Sequence, residues 1–119
     1  MIRPPVAALL LFALTACAAP RCRNQIARRV PAPDGSQDAV VYHRDCGAGA
    51  GASTEVVLLP HDGDLPDLPT NVLTLADSVD VAARWSGPDS VVLTYPAPAK
   101  VVGRLERSPD GTTVAFRAQ

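Results

Sequence analysis

The residues that most often carry acid–base or nucleophilic chemistry are few in this chain. Its two histidines are His43 and His61, and His43-Arg44-Asp45 repeats the letters of a kinase-type catalytic loop. Neither a glycine-rich loop nor an Asp-Phe-Gly triplet accompanies those letters, and the chain is too short for such a domain. No G-x-S-x-G or comparable frame positions a serine nucleophile. The sequence therefore predicts no catalytic residues, and an enzyme of unknown class is the least favoured functional hypothesis.

Clustered carboxylates suggest a second kind of chemistry. Asp62, Asp64 and Asp67 lie within residues 61–70, HDGDLPDLPT. Ca²⁺ takes six to eight oxygen ligands, but this spacing differs from an EF-hand and the prolines constrain the chain differently. A solvated surface loop is the favoured interpretation, with no metal site and no cofactor predicted. Binding of a small ligand or Ca²⁺ by the acidic region 61–80 remains the alternative function.

The amino terminus has the layout of a secretory signal. A short basic start that includes Arg3 precedes the apolar run VAALLLFAL at 6–14 and the small residues Thr15 and Ala16. This order of basic, apolar and small residues is typical of a cleaved export signal. The apolar run is too short for a transmembrane helix, which needs about 20 residues. We therefore predict that residues 1–16 are a signal peptide.

The end of this segment resembles the lipobox of bacterial lipoproteins, in which an aliphatic residue and two small ones precede a cysteine. The matching residues are Leu14-Thr15-Ala16-Cys17. The resemblance implies diacylglycerol on the Cys17 thiol, cleavage before Cys17 and a further acyl chain on the new amino group. Two or three acyl chains anchor a protein stably, whereas one gives marginal binding. Ala18, which is not Asp, favours the outer membrane facing the periplasm over the inner membrane.

Two cysteines, Cys22 and Cys46, remain after Cys17 is lipidated. In the oxidising cell envelope, two thiols in a small domain are typical of one disulfide. Such a bond would close a loop of about 25 residues and stabilise the fold by roughly 3.5 kcal/mol. A metal site and a reactive thiol are the alternatives, although four-ligand zinc spacing and a C-x-x-C pair are both missing from the sequence.

Length and charge narrow the class of protein. Of the 119 residues, 103 follow the signal, with twelve acidic and ten basic side chains. That length supports one domain, and the slight negative charge argues against nucleic-acid binding. The stretch 46–83 has no Lys or Arg, whereas Arg21, Arg23, Arg28 and Arg29 follow the anchor. We interpret these arginines as a solvated tether, with contact to anionic lipid headgroups as the alternative.

Short β segments follow a tether at 17–24 and fill residues 25–119. Alternation of apolar and polar side chains predicts strands at 39–44 and 79–85, and a short apolar run ended by Pro60 predicts one at 55–59. Further strands are predicted at 71–76 and, between turns, at 90–95, 100–106 and 112–117. Turns are predicted at Ala32-Pro33-Asp34-Gly35, at 86–89 and at 108–111, because Pro, Asp and Gly favour turn geometry. The predicted fold class is mainly β, a small antiparallel meander or sandwich.

Four stretches together resemble an uncharacterised family of small bacterial exported proteins that often carry a lipobox. They are PDG at 33–35, AVVY at 39–42, RDCGA at 44–48 and STEV at 53–56, and a V-x-V-x-W strand at 79–85 fits more loosely. The family tends to have Thr-Thr and an aromatic residue where this chain has Gly49-Ala50 and Ala52, so a surface formed there is reduced. The resemblance supports pairing of Cys22 with Cys46 and implies no activity.

The favoured function is a non-enzymatic envelope lipoprotein that binds another envelope protein. The hairpin at 36–59 is the predicted contact surface, because the small residues 47–53 form an adaptable tip beside Cys46. The proposed contact residues are Tyr42, His43, Arg44, Gly47, Gly49 and Gly51. Lipid on Cys17 is expected to hold the protein on the membrane.

Overall fold

The structure, a computed structural model, describes residues 22–47, 49 and 51–119. It forms eight strands: β1 Arg23–Pro31, β2 Gln37–Asp45, β3 Ala52–Pro60, β4 Asn71–Ala76, β5 Ala82–Gly87, β6 Ser90–Tyr95, β7 Val101–Arg104 and β8 Thr113–Ala118. None of these described residues belongs to a helix capable of crossing a membrane. The predicted signal peptide, Cys17 and tether residues 18–21 lie outside the described residues. Arg23 and Asn24 were predicted to belong to the tether but lie in β1, which pairs with β2 from Arg23 onward.

The strands form two sheets, which confirms the mainly β class and gives a sandwich. One sheet has the order β1-β2-β3-β4-β7 and the other has the order β5-β6-β8. Neighbouring strands are antiparallel except β6 and β8, which are parallel. The chain leaves β6, forms β7 in the five-stranded sheet and returns to β8. Two crossings therefore bring β8 alongside β6 in the same direction.

The main core lies between the two sheets and is built from Val, Leu and Ala. The five-stranded sheet contributes Val41, Val56 and Leu73, and the three-stranded sheet contributes Leu93 and Val114. Along β6 the buried residues alternate with partly buried ones, as the period of two in a strand requires. Trp85 packs against this core, and its indole Nε1 donates a hydrogen bond to the Val30 carbonyl at 2.9 Å. The tryptophan thus links the edge strands of the two sheets.

A second apolar cluster covers the outer face of the five-stranded sheet. It consists of Val40, Tyr42, Val57 and Leu59, with Leu65 from the loop at 61–70 packed against it. The middle of β2 and β3 is therefore buried on both faces. This explains the apolar runs AVVY and VVLL, because a strand covered on both sides has no solvent-facing positions to fill with polar residues.

Alternating strand directions give the sandwich two distinct ends. The disulfide end contains Cys22, the β2–β3 tip at 46–51 and the turn at 77–81. The far end contains the segments 32–36, 61–70, 88–89 and 105–112. There the Gln37 side-chain amide donates to the Pro88 carbonyl at 3.2 Å and to the Thr112 hydroxyl at 2.8 Å. These two bonds tie the loops of both sheets together.

Candidate functional site

The structure confirms the disulfide between Cys22 and Cys46, whose sulfur atoms are 2.02 Å apart. Cys22 precedes β1 and Cys46 follows β2, next to the strand pair Arg23–Asp45. The bond therefore fastens the beginning of the folded domain to the base of the β2–β3 tip. The two cysteines are 24 positions apart in the sequence.

Tyr42 was wrongly predicted to be a contact residue, because its side chain is fully buried. Its hydroxyl donates to Asn71 Oδ1 at 2.6 Å, and it pairs across the strands with Glu55. Burial raises the pKa of Tyr42, and the neighbouring Glu55 carboxylate raises it further. Tyr42 lies in the apolar cluster on the outer face of the five-stranded sheet, and Leu65 from the loop at 61–70 packs against this cluster.

His43 and Arg44 remain partly exposed at the disulfide end. Nδ1 of His43 lies 3.1 Å from the Thr54 hydroxyl and 3.2 Å from the Ser78 hydroxyl. The Thr54 hydroxyl is itself engaged, since it donates to the Asp77 carbonyl and accepts from the Val79 amide at 2.9 Å. His43 thus belongs to a polar network that fixes the turn after β4.

The β2–β3 tip depends on glycine. Gly47, Gly49 and Gly51 are exposed and have φ angles of 89°, 89° and 73°. Side chains with a Cβ rarely adopt this left-handed region, so substitution at these positions strains the backbone. The Gly47 amide also donates to Asp45 Oδ1 at 2.9 Å. The part of the tip formed by Ala48 and Ala50 lies outside the described residues.

A cluster that the sequence analysis missed lies at the far end around Asp38, whose carboxylate has no exposed surface. Nη1 of Arg29 donates to Asp38 Oδ2 at 2.9 Å, and Nη2 donates to the Gly63 carbonyl at 2.8 Å. Nδ1 of His61 lies 2.8 Å from Asp38 Oδ1, and the Asp62 amide donates to Oδ2 at 2.9 Å. We call these residues the Asp38 latch, because they hold the loop at 61–70 onto the sheet.

Contacts within the Asp38 latch lower the pKa of Asp38 and raise the pKa of His61. Burial by itself raises the pKa of Asp38, but hydrogen bonds from His61, Arg29 and the Asp62 amide outweigh it and lower the pKa to about 2. The same hydrogen bond and the negative charges of Asp38 and Asp62 raise the pKa of His61. Nε2 of His61 lies 3.3 Å from Asp62 Oδ2, so the ring sits between two carboxylates.

The structure also corrects the interpretation of the arginines that follow the predicted anchor. Arg23, Arg28 and Arg29 lie in β1 and not in a tether, and residue 21 lies outside the described residues. Arg28 forms an exposed salt bridge of 3.3 Å with Asp80, whereas Arg29 is paired with buried Asp38. One signal in the sequence could have revealed the pair. Asp38 stands next to an apolar run, and an acid buried in a strand needs a cationic partner.

Three potential metal ligands in the latch lie within 4.8 Å of one another, on Asp38, His61 and Asp62. Both oxygens of Asp38 already accept hydrogen bonds, one of them from the Arg29 guanidinium. A cation would have to displace that guanidinium charge. Of the acidic set considered from sequence, Asp62 joins this cluster through its neighbour His61, whereas Asp64 and Asp67 do not. The geometry supports a structural latch better than an ion site.

An open recess of about 400 Å³ lies at the far end between β3 and the loops at 61–70 and 108–110. Its apolar lining includes Val57, Leu59, Pro66 and Leu68. The side chain of Leu68 is 90% exposed, whereas leucine is among the residue types most often buried in folded domains. Asp110 and Ser108 line the opposite wall. The recess therefore combines an apolar floor with an exposed leucine and an acidic rim.

Comparisons of the chain with protein-family models, with curated proteins and with solved structures found no match. The resemblance to a family of exported lipoproteins therefore stays a prediction from the sequence. The functional argument depends on the geometry of the far end and of the disulfide end.

Proposed function

We propose that this protein is a lipid-anchored bacterial envelope protein that binds another envelope protein and catalyses no reaction. The export-type amino terminus and the lipobox-like residues 14–17 support anchoring through Cys17. The disulfide supports an oxidising compartment such as the periplasm. Residence in the outer membrane, facing the periplasm, is part of the same proposal.

The position of the disulfide limits how such an anchor would orient the domain. Cys17 precedes Cys22 by five residues. A fully extended chain of that length spans at most about 18 Å. With lipid on Cys17, the disulfide end would be held close to the bilayer. The β2–β3 tip would then face the membrane, and the far end would be presented to the periplasm.

The observation that carries the proposal is the recess at the far end with Leu68 standing exposed beside it. An exposed apolar side chain next to an apolar concavity and a polar rim is typical of a protein contact site. The Asp38 latch holds this loop in place, so the surface is formed before a partner arrives. A preformed surface loses less conformational entropy on binding.

Site-specific photocrosslinking in intact envelopes tests this proposal. A benzophenone amino acid at Leu68 should form protein adducts, and the same probe at exposed Ala52, at the base of the tip, should form lipid adducts or none. The variant Leu68→Ser should reduce recovery of the partner after chemical crosslinking. Protein adducts from position 52 with none from position 68 would instead support the hairpin tip as the contact surface.

The anchor is tested separately by Cys17→Ser. This variant should lose labelling with radioactive palmitate and appear as uncleaved precursor or as released protein. A Cys17→Ser protein that stays on the membrane in the same amount as the parent would contradict lipid anchoring. Protein adducts at position 68 would still support the contact site in that case, so lipid anchoring and partner binding can fail independently.

A further inference from the structure

The two sheets leave four edge strands, β1, β5, β7 and β8, and one of them differs from the rest. Bulges or irregular register interrupt the pairing of β1 between Ile26 and Arg28, of β5 between Trp85 and Gly87, and of β7 opposite Thr74 and Leu75. Bulges of this kind protect edge strands from pairing with other chains. β8 pairs with β6 in unbroken register over all six residues and contains no proline.

Hydrogen bonding shows which backbone groups of β8 face outward. The Thr113 amide donates to the Asp89 carbonyl at 2.9 Å, and the Gln119 amide donates to the Tyr95 carbonyl at 3.0 Å. Because backbone groups alternate sides along a strand, the N–H and C=O groups of residues 113, 115, 117 and 119 point toward β6. The backbone of Val114 points away from β6, and its amide donates to the Glu106 carbonyl at 2.8 Å. The outward groups of Phe116 and Ala118 therefore lie on the edge that no described strand covers.

The side chains of β8 are apolar on the face toward the core, and arginine side chains lie around its open edge. Val114 is buried and Phe116 packs against the core, whereas Ala115 and Arg117 are exposed on the outer face. The Arg104 guanidinium lies 5.3 Å from the centroid of the Phe116 ring. Arg104 and Arg107 line a recess of about 500 Å³ beside β8, in which Glu106 is the carboxylate. Within the described chain, Arg104, Arg107 and Arg117 form no salt bridge.

We propose that β8 is a docking edge that accepts an extended, acidic segment of a partner protein as an added strand. Strand addition uses the backbone groups of Phe116 and Ala118 for affinity and the alternating side chains for specificity. One face of the added strand would continue the apolar core beside Phe116. The other would place carboxylates near Arg117 and Arg107. The occupant therefore alternates apolar residues with Asp or Glu along the open part of the edge at Phe116 and Ala118.

This surface is distinct from the recess beside Leu68 and does not depend on lipid anchoring. A lipid surface could also be attracted by the three arginines, but it would make no use of the outward backbone groups. A second copy of the chain could pair through β8 as well. Binding of a lipid surface or of a second copy would give experimental results different from those of an acidic strand.

The test uses the full chain purified in detergent and a fluorescent acetylated heptapeptide that alternates glutamate and valine. One control peptide has the same composition with its valines grouped together, and another has lysine in place of glutamate. The alternating acidic peptide should bind, and both controls should bind at least several-fold more weakly. Equal binding of the grouped peptide, or no binding of the alternating peptide at millimolar concentration, would overturn the proposal.

Two variants separate backbone pairing from charge attraction. Ala118→Pro removes an outward amide that donates nothing to β6, so it should weaken peptide binding about tenfold while Ala118→Ser changes it little. Arg117→Glu should also weaken binding, whereas Arg84→Glu on the opposite edge strand should not. The amides of Phe116 and Ala118 should exchange more slowly with the peptide bound, a readout that an altered fold would not reproduce.

The variants Ala118→Pro and Arg117→Glu also test the two other occupants, a lipid surface and a second copy of the chain. Vesicles containing anionic lipid are mixed, without detergent, with chains that also carry Cys17→Ser. They should bind Ala118→Pro and the parent equally, so a loss of vesicle binding in Arg117→Glu without any peptide binding would assign the edge to a membrane. A dimer in sedimentation that Ala118→Pro dissolves, again without peptide binding, would assign it to a second copy. Either result would overturn the proposal.

Discussion

The guanidinium of Arg29 lies 2.9 Å from the carboxylate of Asp38, whose side chain is completely buried, and the pair runs diagonally across the β1–β2 hairpin, because Arg29 is opposite Val40 and Asp38 is opposite Pro31. The same guanidinium reaches the Gly63 carbonyl at 2.8 Å. One ion pair thus connects the first hairpin to the loop that carries Leu68. The stability of the far end should depend on this pair more than on any exposed charge.

Replacing Asp38 with Asn should destabilise the protein by about 3 kcal/mol, because it leaves the Arg29 charge without its partner in a partly buried position. Urea unfolding followed by circular dichroism measures the change. Asp80→Asn is the matched control, since it removes the exposed salt bridge to Arg28 and should cost less than about 0.5 kcal/mol. An equal loss of unfolding free energy in both variants would contradict a larger contribution from the buried ion pair.

The lowered pKa of Asp38 predicts loss of stability in acid. Its pKa is about 2 in the folded protein against 3.8 in the unfolded chain, so the unfolded state takes up the proton first as pH falls. The contribution, on the order of 2 kcal/mol, should be complete above pH 4 and lost between about pH 4 and pH 2. Unfolding free energies measured across this range should fall less steeply for Asp38→Asn than for the parent. Parallel curves would contradict the prediction.

The raised pKa of His61 predicts the opposite dependence. The folded protein holds the imidazolium proton more tightly than the unfolded chain, so the His61 contribution is fully present below the ordinary pKa of 6.5. It should disappear as pH rises through the folded pKa. Hydrogen exchange, corrected for its intrinsic pH dependence, should show weaker protection of the Asp62 and Gly63 amides at pH 9 than at pH 6. In His61→Gln this difference should be absent, and its persistence there would assign the effect to another group.

Burial of Tyr42 predicts a large structural effect and no specific binding effect. Tyr42→Ala should cost about 3–5 kcal/mol, because it empties a volume in the outer-face cluster. Tyr42→Phe should cost about 1–2 kcal/mol, because Asn71 loses its hydrogen-bond donor. Thermal and urea unfolding measure both, with Arg44→Ala as a partly exposed neighbour that should change little. A Tyr42→Ala protein of parental stability would contradict this assignment.

Local patterns in the sequence were sufficient to predict most strands. β4 and β6 agree with the predicted 71–76 and 90–95, and the Pro-Asp-Gly turns place Gly35 and Gly111 at positive φ. Such features depend on neighbouring residues alone, since alternation and turn chemistry act over a few positions. The pairing of Cys22 with Cys46 was also accessible, because two thiols leave one possible bond within the domain.

Tertiary structure alone decided which faces of those strands are buried and which edges are free. Tyr42 was predicted to be a contact residue of the hairpin at 36–59, but its side chain lies in the apolar cluster on the outer face of the five-stranded sheet. Leu65 and the loop at 61–70 cover that face, and Asp38, Arg29 and His61 hold the loop there across more than 20 residues of sequence. In the same way, the open edge of β8 arises because β7 crosses to the other sheet. Contacts between distant segments leave no periodic signal in the sequence. An acidic residue beside an apolar run could have indicated that Asp38 needs a cationic partner, but only the folded chain shows that Arg29 and His61 supply it and that the β8 edge is open.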